Sequence, residues 1–127
     1  QFIKSYPKGI DLKLSEHFHL REFECSCGEC TETLVSMAHV ARLENLRRNT
    51  SRPIKINSAY RCENHNKAVG GVDGSQHTKG TATDLTLVNY DSEMLTIIFP
   101  GVILYDTFTH VDSRINPVFI DRRSKKR

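Results

Sequence analysis

Helical and strand-like segments alternate along this chain with short connections, and the sequence predicts an α+β fold with a mostly antiparallel sheet. Three observations predict it. One long run, residues 31–48, repeats its apolar positions at helical spacing. Several shorter runs, at 54–60, 81–88, 102–105 and 108–111, are period-two or β-branched. The whole chain has 127 residues, the length of one domain with one small core.

Residues 1–30 read as irregular. Pro7, Gly9 and Gly28 punctuate them, and the apolar anchors are L-S-E-H-F (14–18) and L-R-E-F (20–23). In the helix at 31–48, Thr31 can cap the start, and Leu34, Met37, Ala38, Val40 and Ala41 recur on one side. Arg42, Glu44, Arg47 and Arg48 supply a polar face, and His39 is placed at the surface or its boundary. Pro53 follows soon after. Residues 54–60, I-K-I-N-S-A-Y, begin with apolar–polar alternation and read as a strand. Residues 63–69 form a short helix stopped by Gly70-Gly71. A polar loop leads to the strand at 81–88. Residues 91–99 are a second helix closed by Pro100-Gly101. The segments 102–105 and 108–111 are a strand pair or one bent strand.

Charge is distributed unevenly. Five of the 18 basic residues lie in the last seven positions, D-R-R-S-K-K-R, which leaves 13 basic and 14 acidic residues in the rest. A nearly neutral body argues against a broad nucleic-acid surface. The domain is therefore expected over 1–120, with 121–127 a basic, disordered tail whose charge suits an anionic polymer. No apolar run approaches the roughly 20 residues of a membrane span. No secretory leader is visible, and the first residue is Gln1 rather than Met. The expected compartment is the cytoplasm, or the space outside it if a leader has been removed.

The stretch S-Q-H-T-K-G-T-A-T-D (75–84) sets His77 and Asp84 seven residues apart around Gly80. A loop histidine and a strand aspartate can converge if the chain turns sharply, which Gly80 permits. Small Ala82 shares the strand face of Asp84. Downstream, F-T-H-V-D (108–112) puts Phe108, His110 and Asp112 on one face of a strand. Imidazole and carboxylate donors suit zinc. Spacing alone leaves two readings open, a metal site and an exposed polar strand face.

Three segments together carry a resemblance. S-Q-H-T-K-G-T-A-T-D follows the pattern S-x-H-x-x-G-x-A-x-D of the zinc D-alanyl-D-alanine carboxypeptidase family. Upstream, S-A-Y-R (58–61) resembles that family's S-G-Y-R, and F-T-H-V-D resembles its closing F-x-H-x-D. The opening L-S-E-H-F-H-L-R-E-F-E-C is similar to the start of the family's small, phage-type branch. The resemblance covers roughly residues 12 to 115.

It implies a fold like the DD-peptidase and hedgehog signalling domains, a central antiparallel sheet flanked by helices. It implies one catalytic Zn2+ held by His77, Asp84 and His110, and hydrolysis of peptidoglycan stem peptides; separately, a monomer with no nucleic-acid partner is expected. Cleavage would be of the D-Ala-D-Ala carboxypeptidase or murein endopeptidase kind, as in a phage or prophage lysis enzyme that stays cytoplasmic until release to the wall. Arg61 would steady developing negative charge or a substrate carboxylate, and Ser75 would orient substrate. Tyr60 and Phe108 either line the substrate groove or pack in the core. Many relatives place a Glu or Asp three residues before the last histidine, where this chain has Thr107. Asp106 and Asp112 are the rival candidates for proton transfer. Should neither serve, the domain would be a zinc-stabilised wall-binding or signalling module without activity.

Four cysteines remain. Cys25, Cys27 and Cys30 form C-S-C-G-E-C, and Cys62 follows Arg61. A second, structural ion on these thiolates, disulfides among some of them, and free reduced thiols are the three readings. His65 either borders the cleft or is an ordinary loop residue, as His17 and His19 are read to be.

Overall fold

A computed structural model describes residues 2–124 of the chain. Its elements are β1 (Ile3–Pro7), β2 (Glu32–Ser36), α1 (Met37–Thr50), β3 (Lys55–Ser58), α2 (Glu63–Ala68), β4 (Ala82–Thr86), α3 (Ser92–Ile98), β5 (Gly101–Leu104), β6 (Thr109–Asp112) and β7 (Val118–Asp121). Leu20–Phe23 and Gln76–Lys79 are single turns of 3-10 helix. The expected α+β class is what the chain adopts. A five-stranded sheet runs in the order β3-β4-β6-β5-β7, and β1 and β2 make a separate ribbon. All pairings are antiparallel except β5 with β7.

The long helix starts later than its apolar periodicity predicts. Glu32–Ser36 is a strand paired with Ile3–Pro7, from Ile3 opposite Ser36 to Pro7 opposite Glu32. Thr33 and Val35 point inward with period two while Glu32 is exposed. The cap is Ser36 rather than Thr31, and its hydroxyl accepts a hydrogen bond from the His39 N–H at 3.1 Å. The ribbon also overturns the irregular reading of the first residues. Pro7 tolerates its place because it is the last residue of an edge strand.

Val40, Leu43 and Leu46 of α1 meet Leu85, Val102, Leu104 and Val111 of the sheet and Leu95 and Phe99 of the α3 region. Phe18, Leu20 and Phe23 from the N-terminal segment close the same core. Each fully buried side chain of this size contributes about 2 kcal/mol. Two polar residues of α1 face inward against expectation. His39 is buried, its Nδ1 2.7 Å from Ser113 Oγ and its Nε2 3.0 Å from Thr83 Oγ1. Burial pushes its imidazole down to about 3, so the ring is neutral and relies on those hydroxyls. Glu44 is also buried, and its carboxylate accepts from Ser15 Oγ, the His17 backbone N–H and His17 Nδ1. His17 therefore anchors its loop to the helix.

Past residue 120 the chain stays engaged with the sheet as far as residue 124. Asp121 ends β7, the Arg122 N–H donates to the Leu104 carbonyl, and Ser124 bonds Asp106. Residues 125–127 of the expected tail lie outside the described residues. No helix among the described residues is long and apolar enough to cross a membrane.

Candidate metal centre and its groove

The site begins with strand register. β4 and β6 are antiparallel neighbours with Asp84 directly opposite His110, so both side chains emerge on one face. The third residue arrives from the 3-10 turn before β4. Ser75 opens that turn by accepting the His77 N–H at 3.2 Å. Gly80 closes it at φ +76°, and a Cβ there would stand 2.5 Å from the Leu34 carbonyl oxygen, so only glycine fits. His77 Nε2 then lies 3.2 Å from Asp84 Oδ1, and His110 Nδ1 lies 3.0 Å from the same oxygen. One ligand atom from each of the three residues falls within 4.8 Å of the others.

Both rings are oriented from behind. The Ala59 carbonyl accepts a hydrogen bond from His77 Nδ1 at 2.6 Å. The carbonyl has no proton to give, so Nδ1 carries the hydrogen and Nε2 presents its lone pair to Asp84. Asp112 Oδ2 accepts from His110 Nε2 at 2.7 Å, which leaves Nδ1 as the inward atom. Asp112 is wholly buried and is also gripped by Arg114, at 2.8 Å from Nε and 2.6 Å from Nη2. Its carboxylate rests against Gly101, where a Cβ would come within 2.0 Å of Oδ1.

Charge follows geometry. Burial would raise the carboxyl pKa of Asp84, but the His110 and His77 rings outweigh it when the nitrogens facing it carry protons, and hold the group well below the carboxylate range. Burial opposes ionisation of Asp112 in the same way, and Arg114 with His110 outweighs it. For His110, burial disfavours the cation, yet the bonds to Asp112 and Asp84 raise its pKa. An imidazole lone pair facing a carboxylate oxygen at 3.0–3.2 Å is repulsive unless a cation or proton lies between them. Two oriented imidazoles and an ionised carboxylate are the donor set of a divalent transition metal, with zinc the common choice.

The three donors lie in a groove of about 560 Å³ that Arg61, Ser75, Tyr105, Phe108, Arg114 and Arg122 also line. Arg61 is fixed at its backbone by donating to the His77 carbonyl at 3.1 Å. Its Nε is buried and has no hydrogen-bond partner among the described residues. Tyr60, read from the sequence as lining the groove or packing in the core, is buried and borders a hollow on the cysteine side with Cys27, Cys30 and Cys62. Phe108 does line the groove, with its ring stacked on Tyr105 at 4.5 Å. His65 points away, its Nε2 3.2 Å from Ser26 Oγ.

Neither candidate for proton transfer lines the groove. Asp112 lies behind His110. Asp106 sits in the four-residue turn between β5 and β6, where Tyr105 N–H bonds the Phe108 carbonyl. Its carboxylate accepts both the Ser124 N–H and hydroxyl at 2.8 Å. The turn breaks the strand continuity that would have placed Asp106 on the face of His110.

Sequence reasoning missed Arg114 and Arg122. Arg114 stands two residues beyond Asp112, a spacing that keeps both on one side of an extended chain. Arg122 reaches the groove only because β7 pairs in parallel with β5, and no local signal marks that pairing.

A family model described as Peptidase M15 matches residues 16–112, a span that contains His77, Asp84, His110 and Arg61. No curated protein matches the chain.

Proposed function

The chain belongs to the Peptidase M15 family, and from that premise we propose that it is a zinc-dependent peptidase acting on stem peptides of bacterial peptidoglycan. One observation carries the reading. Two imidazoles with their far N–H groups already committed turn lone pairs onto one ionised carboxylate, in a groove where Arg61 keeps an unpartnered buried donor. His77, Asp84 and His110 would hold the ion. When bound there, zinc supplies Lewis-acid polarisation of a carbonyl and an activated water with a pKa of about 7.

The remaining work belongs to the chain's own groups. Asp112 keeps Nε2 of His110 protonated and the ring in place, an arrangement that typically sharpens metal binding. Arg61 offers its guanidinium to the negative charge that develops on the scissile carbonyl oxygen. Arg122 adds positive charge to the groove, whereas Arg114 is already paired with Asp112. Asp84 is the only carboxylate lining the groove among the described residues. A groove of that character suits an anionic peptide, and stem peptides carry free carboxylates. Ser75 lies where it can touch the same substrate. The resemblance to the phage-type branch suggests a lysis enzyme that reaches the wall on release.

A second reading rests on that same lining. With no carboxylate beyond Asp84 in the groove, proton transfer has no assigned side chain, and a metal-stabilised wall-binding module without turnover would show the same centre. The two part in one experiment. Zinc-loaded protein is incubated with purified peptidoglycan and with defined stem peptides, beside a chelated control, and the products are read by mass spectrometry. A zinc-dependent fragment supports the peptidase, and its mass identifies carboxypeptidase or endopeptidase cleavage. Intact substrates that nevertheless bind the zinc-loaded protein support the module.

A further inference from the structure

We propose that Cys25, Cys27, Cys30 and Cys62 form a second zinc site, a closed tetrathiolate centre that pins the N-terminal segment to the start of α2. It is separate from the histidine centre and does not rest on the peptidase reading.

The sulfurs are spaced for a metal rather than for each other. Four Sγ atoms at about 2.3 Å from a tetrahedral zinc stand about 3.8 Å apart. Cys25 Sγ lies 3.8 Å from Cys62 Sγ, and Cys62 Sγ lies 3.7 Å from Cys27 Sγ. All four sulfurs fall within 4.8 Å of one another. A disulfide would need about 2.05 Å, and none of the four cysteines is so bonded.

The backbone is shaped to support thiolates. In C-G-E-C the N–H groups of Glu29 and Cys30 both point at Cys27 Sγ, at 3.3 Å each. Gly28 makes that turn at φ +78°, in the left-handed region. On the other side Cys62 caps α2, and its Sγ accepts the His65 N–H at 3.5 Å. Four thiolates around a dication leave two negative charges. Lys8 Nζ, 3.6 Å from Cys30 Sγ, offsets part of that charge. Hydrogen bonds to the ligating sulfurs are the usual support of such centres. Cys27, Cys30 and Cys62 line an open hollow of about 570 Å³, which gives an ion a path to this cluster.

The consequence for the domain is mechanical. Three ligands come from the loop that follows Phe23, and the fourth is the residue next to Arg61. The Tyr60 N–H already donates to the Phe23 carbonyl at 3.1 Å. A zinc centre would fasten the same two segments a second time, within one residue of the groove arginine. Ion binding at such a centre would add directly to the folding free energy.

The test uses the His77→Ala variant, whose histidine centre is broken, so that any remaining metal reports on the cysteines. The reduced protein is stripped, loaded with Co2+ and then titrated with Zn2+. The proposal expects an intense sulfur-to-cobalt charge-transfer band, visible bands of tetrahedral strength, and loss of both after one equivalent of zinc. Adding Cys62→Ser to His77→Ala should abolish the charge-transfer band. Should that double variant fail to fold, wild-type protein gives an independent reading. Its four thiols should react slowly with a thiol reagent when zinc is present and rapidly after chelation. Absence of the charge-transfer band in His77→Ala would overturn the proposal. So would rapid reaction of all four thiols in zinc-loaded wild type, or recovery of the freshly purified chain with its cysteines joined as disulfides.

Discussion

Glu44 lies far from the groove, yet it offers the clearest quantitative test of how this chain is held together. The perturbation is Glu44→Gln, which keeps the volume and removes the charge. Burial alone would raise the Glu44 pKa, but donors from Ser15 and His17 outweigh it and hold the carboxyl at about 2, against an ordinary 4.5. At about 1.4 kcal/mol for each pH unit of separation, that difference corresponds to about 3 kcal/mol of folding free energy. His17 supplies two of the three donors and is 29% exposed, so solvent screening reduces the figure to about 2 kcal/mol.

The sign follows from the depressed value. The folded state binds its proton less readily than the unfolded chain, so the contribution is complete above pH 4.5 and is lost as pH falls toward 2. The assay is denaturant unfolding of wild type and variant side by side at neutral pH and at two acidic values. The difference between the two proteins isolates Glu44, because pH effects shared by both cancel. The variant should be less stable by about 2 kcal/mol at neutral pH, or about 7 °C in Tm. The gap should close as the medium approaches the folded pKa. Equal stability at neutral pH, or a gap that stays constant in acid, would refute the reasoning.

Other expectations concern the groove. Arg61→Ala should keep its zinc and lose about 100-fold or more in kcat/KM on stem peptides, the scale for removing an oxyanion partner; unchanged turnover would remove Arg61 from that role. Asp112→Asn should weaken metal binding by about 10- to 100-fold, as loss of a ligand's orienting carboxylate does, with competition against a chromophoric chelator as the readout. Affinity equal to wild type would show that His110 is held by other means. Asp106→Asn should retain zinc and most activity, since its carboxylate is engaged with Ser124. Loss of turnover with zinc retained would instead give Asp106 the proton-transfer role and imply that the Tyr105–Phe108 turn rearranges with substrate.

The centre was more legible than the scaffold that carries it. Histidine and aspartate donors stand in short segments whose local geometry places them, and the cross-strand register of Asp84 and His110 needs only two adjacent strands. The strands at β3 to β6 and the helices α2 and α3 were visible because each is short and bounded by Gly, Pro or a capping residue. The start of α1 was not. Leu34 extends the helical period of Met37 back into residues that pair instead with Ile3–Pro7, and its partner Ser5, distant in sequence, leaves no local trace. Glu44 and His39 sat on what periodicity marked as polar or boundary positions. Their burial depends on Ser15, His17, Thr83 and Ser113, residues that only the folded chain brings to them. β7 was hidden for a similar reason: its parallel pairing with β5 turns a stretch that reads as the approach to a basic tail into the sheet's edge.

The central claim is that His77, Asp84 and His110 hold the ion on which catalysis depends. The most direct measurement titrates zinc back into chelated protein while hydrolysis of purified peptidoglycan is followed by product mass, for wild type and for His110→Ala in parallel. The account predicts that activity returns with zinc in the wild type and stays absent in His110→Ala at every zinc concentration, although that variant remains folded. Hydrolysis by His110→Ala at the wild-type rate, or hydrolysis by the chelated wild type, would contradict it.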